Sequence, residues 1–200
     1  GSGSDACGGT YTSGTFTIQV SKATDSQSVV ISEIAWAGTI SSSSDEWIEL
    51  YNKSGSSVDL SGWSLKADDD TPTISLSGTI AAGAYFVLER ISDNTISDVT
   101  ADIIYTGALE NAGELLSLYD ADSNVIDTVN QSGSWFAGNS SLKQSMARID
   151  MNVAGTEQSN WGSHDFLSGI NGKDVGDINI LGSPGQINSI GNDPAPPGPS

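Results

Sequence analysis

Apolar and polar residues alternate along this chain in short runs with a period of two. Residues 15–21, Thr-Phe-Thr-Ile-Gln-Val-Ser, put Phe16, Ile18 and Val20 on one face and Thr15, Thr17 and Gln19 on the other, which is the signature of a half-buried strand. Residues 30–36 (VISEIAW) and 46–51 (EWIELY) are dense in β-branched and aromatic side chains, which suit a pleated surface. The serines at 41–44 separate those two strands, and Asn52-Lys53-Ser54-Gly55 supplies a turn after the second. Further strands are expected around Val58 and Leu60, from Trp63, over Ile74-Ser75-Leu76 and over residues 84–88, with Gly78 and Gly83 punctuating a hairpin.

The second half is less regular. Residues 114–119 and 124–129 predict a hairpin around Asp120-Ala121-Asp122-Ser123, while residues 91–106 read as a long loop ending in a weak strand. Residues 132–139 form a glycine-bounded loop whose Trp135 and Phe136 are expected to cap one end of the fold. Leu142, Met146 and Ile149 fit a helical face or irregular strands equally well, and residues 151–177 read as an irregular stretch anchored by Trp161, Phe166 and Leu167. Many short strands between turn clusters predict an all-β domain.

Three blocks stand in order: Ile31-Ser32-Glu33-Ile34, then Asp45-Glu46-Trp47-Ile48-Glu49-Leu50-Tyr51-Asn52, then Val58-Asp59-Leu60-Ser61-Gly62-Trp63-Ser64-Leu65. In this order and spacing they resemble the lamin tail domain family in its bacterial branch. The likeness extends through residues 82–88, the hairpin at 117–129, Ser145-Met146-Ala147-Arg148, Ser159-Asn160-Trp161 and residues 182–188. It implies an immunoglobulin-like β-sandwich over residues 29–188. Residues 1–28 then form an N-terminal arm with one extra strand, and residues 189–200 a Pro/Gly-rich tail or linker.

Charge narrows the functions. Twenty-five acidic against 7 basic residues give a formal net charge of −18, scattered along the chain. Such a field repels phosphate backbones and anionic headgroups, so nucleic acid is excluded as a partner even though some lamin tail domains are associated with DNA. No apolar run is long enough to insert in a membrane. A single cysteine, Cys7, rules out an internal disulfide and a Cys-based metal site. Ala6-Cys7-Gly8 loosely resembles a lipobox, but no apolar stretch precedes it, and a linker cysteine is the better reading.

Candidate chemistry is sparse. Glu46 and Glu49 are close in sequence, yet on a strand they face opposite ways and cannot flank one glycosidic bond. Glu49 is expected to bond backbone or a cation in a structural role, and Trp47 and Trp63 to fill the core between the sheets. Asp120, Asp122 and Asn124, with Asp127 beyond, imitate the start of a calcium loop, but Val125 replaces the glycine at its sixth position and Gln131 the glutamate at its twelfth. Calcium is therefore the one cofactor considered. Ser163-His164-Asp165 holds triad letters as sequence neighbours, an arrangement that cannot take up triad geometry.

The chain thus reads as a non-catalytic extracellular or cell-surface module for structure or adhesion. Its expected partner is protein, a second copy or a neighbouring domain, engaged through Phe16, Ile18 and Val20 by strand addition that builds a filament. The alternative is a carbohydrate-binding module of a secreted protein, stacking glycan on Trp135 and Trp161.

Overall fold

The computed structural model of the protein describes residues 3–4, 10–11, 27–130, 133–165 and 171–190. The expected strand over residues 15–21, with Phe16, Ile18 and Val20, lies outside the described residues, as do Phe166, Leu167 and residues 191–200. Two short segments, β1 (Gly3–Ser4) and β2 (Thr10–Tyr11), pair antiparallel. The domain's strands then follow as β3 (Val29–Ala35), β4 (Trp47–Asn52), β5 (Val58–Asp59), β6 (Ser64–Ala67), β7 (Thr73–Ser75), β8 (Thr79–Ile80) and β9 (Tyr85–Arg90). They continue as β10 (Ile103–Tyr105), β11 (Leu116–Tyr119), β12 (Val125–Val129), β13 (Met146–Arg148) and β14 (Trp161–Ser163).

A six-stranded sheet in the order β10-β9-β4-β3-β13-β14 faces a four-stranded sheet in the order β12-β11-β6-β7. This is the expected β-sandwich. Among the described strands, all pairs are antiparallel except β9 with β10, which the loop of residues 91–102 joins in parallel. The expected glycine-punctuated hairpin around residues 78–83 does not form, because β8 turns back to pair with β5. Leu142, Met146 and Ile149 resolve as strand and flank, with only Met146 buried. The stretch expected to be irregular contributes β14, which places Trp161 on the sheet's edge.

The core between the sheets takes Ile31, Ile34, Ile48, Leu50 and Leu88 from one side and Leu65, Leu116 and Leu118 from the other, all fully buried. Ile31 and Ile34 are three residues apart and would face opposite ways on a regular strand. A register shift between Ile31 and Glu33 against β4 supplies the extra residue, Ser32, that turns both inward. Trp36 and Trp135 stack with centroids 6.0 Å apart and rings 13° from parallel, closing one end of the core as the aromatic loop predicted.

The six-stranded sheet is covered on its other face as well. Ala35, Trp47 and Val87 point away from the sandwich and pack with Ile96 and Ile180, which come from the flanking loops. Trp47 therefore fills this second, smaller cluster and not the core between the sheets, while half-buried Trp63 packs on the main core. Double coverage explains why every residue of β3 is buried, with no alternation. The covering backbone presses closely: a Cβ on Gly182 would lie 2.5 Å from the Trp47 ring and 3.1 Å from Glu33 Oε1. Gly182→Ala is expected to lift this segment and lower the thermal midpoint by roughly 3–8 °C, given typical overpacking costs. Calorimetry of the variant checks it.

Candidate functional site

Burial on both faces forces an unusual position on the strand glutamates. Glu33 on β3 and Glu49 on β4 are direct cross-strand partners, and both are fully buried. Glu33 accepts hydrogen bonds from the Ser145 hydroxyl, from the Ser183 N–H at 3.1 Å and from the Ser183 hydroxyl at 2.7 Å. Glu49 accepts from the Ser32 hydroxyl at 2.7 Å and the Gly185 N–H at 2.6 Å. These two carboxylates pin residues 183–185 over the sheet, so the structural role expected of Glu49 is met by backbone and hydroxyl and not by a cation.

Burial dominates their electrostatics. It pushes the Glu33 carboxyl up to about 7 against the opposing pull of Ser145 and Ser183, and holds Glu49 well above the usual carboxylate range, helped by the charge of Glu33. The pair titrates as one system in which a first charge opposes a second.

Other acids do similar work. Glu46 takes the Leu109 N–H at 2.7 Å and an ion pair with Arg90 at 3.1 Å. Glu89 takes the Ile96 N–H at 3.2 Å, and Asp102 the Val87 N–H at 2.8 Å. Asp174 gathers the N–H groups of Ser41, Gly176 and Ile178. Much of the acidity is thus turned onto the chain's own loop backbone, where carboxylates satisfy donors that irregular structure leaves open.

The residues singled out for function fare differently. Glu46 and Glu49 do serve opposite faces of the sheet, one at the Arg90 ion pair and the other under residues 183–185. Trp135 and Trp161 are 8% and 5% exposed, and their indole N–H groups donate to Glu110 O at 2.9 Å and Gly155 O at 2.8 Å. Rings this deeply buried present no open face to a sugar, so these two are core and not a platform. Asp120 curls onto the Asp122 and Asn124 N–H groups and the Asn124 amide, a turn-closing arrangement.

Asp127 does not converge with Asp120 and Asp122. It is buried against Arg148, Nη1 to Oδ2 at 2.6 Å, and among the described residues no cluster of metal-ligating side chains forms. Ser163 Oγ accepts the Gly138 N–H at 3.0 Å, and His164 is buried. Sequence reasoning missed the Glu33–Glu49 pairing and the Arg148–Asp127 ion pair. The signal for the first was present: glutamates in the middle of two apolar strands that pair.

The geometry matches what comparison finds. The family model of the lamin tail domain matches residues 22–133. The chain belongs to the lamin tail domain family. This lamin tail domain carries the family's immunoglobulin-like sandwich, and the fold continues past the matched region through β13 and β14, which complete the larger sheet. No curated protein matches the chain. Among the described residues no helix is long and apolar enough to cross a membrane.

Proposed function

We propose that this lamin tail domain is a non-catalytic interaction module working outside the cell or on its surface. The observation that carries the reading is the direction of its acids: the convergent carboxylates clamp the chain's own backbone, as Glu33 and Glu49 do with Ser183 and Gly185. They build a rigid scaffold and leave a solvated acidic exterior. Its family is one of typically non-catalytic immunoglobulin-like domains. The partner is another protein, either a second copy or a neighbouring domain, reached through residues 15–21, whose alternation of apolar and polar side chains reads as a strand in the sequence. A formal charge of −18 weighs against nucleic acid and anionic lipid.

Light scattering and negative-stain imaging over a range of concentration, on this chain and on one lacking residues 1–28, test the contact. Oligomers or filaments that vanish with the truncation are expected. Two folded monomers would remove strand addition from the reading.

A further inference from the structure

The outer face of the four-stranded sheet offers what the other sheet's outer face has hidden. Thr73 and Ser75 on β7 are exposed there, and Ser64, Lys66 and Tyr119 on β6 and β11 are half-buried. Between the turn before β7 and the turn before β12 runs a cleft of about 310 Å³, lined by Ser64, Lys66, Asp68, Asp70, Tyr119 and Ser123. It follows β6 over a span of about 13 Å, from strand rise alone.

The cleft's polar side-chain atoms carry no hydrogen bond or ion pair among the described residues. Among the described residues, the Lys66 ammonium makes no hydrogen bond or ion pair and rests 5.7 Å from the Tyr119 ring centroid, at the outer limit of a cation–π contact. Among the described residues, the carboxylates of Asp68 and Asp70 and the hydroxyls of Ser64, Ser123 and Tyr119 likewise make no hydrogen bond or ion pair. Many acids elsewhere are turned onto backbone, and Asp69, between these two, takes the Thr71 N–H at 2.9 Å. The cleft therefore gathers free donors, free acceptors and an aromatic ring in one concave place.

We propose that this cleft binds a neutral polysaccharide chain, a step beyond the protein contact above. An anionic ligand would meet Asp68, Asp70 and the chain's net charge of −18, while a cationic one, though drawn by the aspartates, would have to share the cleft with the Lys66 ammonium. A neutral, hydroxyl-rich chain satisfies both, giving protons to the aspartates and taking them from the ammonium. Tyr119 supplies an apolar ring beside them for the C–H face of a pyranose, with its hydroxyl free at the rim. A peptide adding a strand needs open main-chain groups, whereas β6 and β11 are hydrogen-bonded on both sides.

Isothermal titration of the intact chain with cellohexaose, xylohexaose, mannohexaose, laminarihexaose and chitohexaose tests this, beside polygalacturonate and polylysine. Saturable binding of at least one neutral hexaose is expected, weakened at least tenfold by Tyr119→Ala and by Lys66→Met and also weakened by Asp68→Ala. Lys173→Met, the same charge change on a lysine outside the cleft that pairs with Asp177, leaves it unaltered. Asp68 is exposed and Lys66 half-buried, so Asp68→Ala and Lys66→Met keep the test open if Tyr119→Ala fails to fold. Absence of binding to every neutral hexaose, binding only to a charged polymer, or binding indifferent to Lys66→Met and Asp68→Ala would each overturn the proposal.

Discussion

Asp127→Ala is expected to bring the domain close to unfolding, with a loss of about 3–5 kcal/mol from a stability typically about 5–15 kcal/mol. Arg148 is wholly buried. Its guanidinium donates to Asp127 Oδ2 at 2.6 Å, to Ile31 O at 3.0 Å and to Val153 O at 2.6 Å, with the Trp161 ring centroid 5.7 Å away. Asp127 Oδ2 in turn accepts the Ile31 N–H at 2.9 Å. One ion pair thus joins β12 of the smaller sheet to β3 and β13 of the larger. Removing the carboxylate strands a buried cation and orphans a strand N–H together, and both penalties act in the folded state.

The double variant Asp127→Leu/Arg148→Met is expected to recover much of the loss, because a buried pair replaced whole by apolar groups leaves no unpaired charge. Urea unfolding of the single and double variants decides it. A cost below about 1 kcal/mol for Asp127→Ala would mean that water reaches Arg148 and that the sheets are held by apolar contact alone.

That pair also marks the limit of what the residues alone disclose. The strands of the motif region were legible because burial on one face leaves a period of two, and because β-branched and aromatic runs fall between turn residues. Trp47 was legible as buried but not as to which face, since the second covering layer comes from residues near Ile96 and Ile180, far away in sequence. Asp127 looked like a calcium ligand from its neighbours Asp120 and Asp122; its true partner lies 21 residues on. Residues 117–129 predicted a hairpin correctly, because its contacts are local. The short strands β13 and β14 lacked that advantage, as each exists only by pairing with its neighbours in the larger sheet. The cleft was not legible either, because Lys66, Asp68 and Tyr119 carry no pattern until β6 and β11 lie side by side.

Stability should fall as pH rises from about 5 to 8, and Glu49→Gln should remove part of that fall. Burial raises Glu33, Glu46, Glu89 and Glu114 from 4.5 to about 7, and Glu49 well above its usual value. A carboxyl whose folded pKa exceeds its unfolded one binds more proton when folded, so its contribution is complete below the unfolded value and disappears as pH climbs through the folded one. The window therefore opens near pH 4.5 and runs through about 7. The lowered pKa values of Asp59, Asp120 and Asp174 act the other way, losing stability only at more acid pH. Self-repulsion of a chain at −18 adds to the alkaline loss. Gln at position 49 can keep both contacts: its carbonyl accepts the Gly185 N–H in place of the carboxylate, and its amide donates to Ser32 Oγ, which turns its own proton to the Glu49 carbonyl oxygen, 3.1 Å away. The charge opposing Glu33 is gone. A thermal midpoint at pH 8 at least about 3 °C above that of the parent, with little difference at pH 5, is the expected result. Equal midpoints at pH 8 would show that the two carboxylates already share a proton there and that the fall comes from the other glutamates.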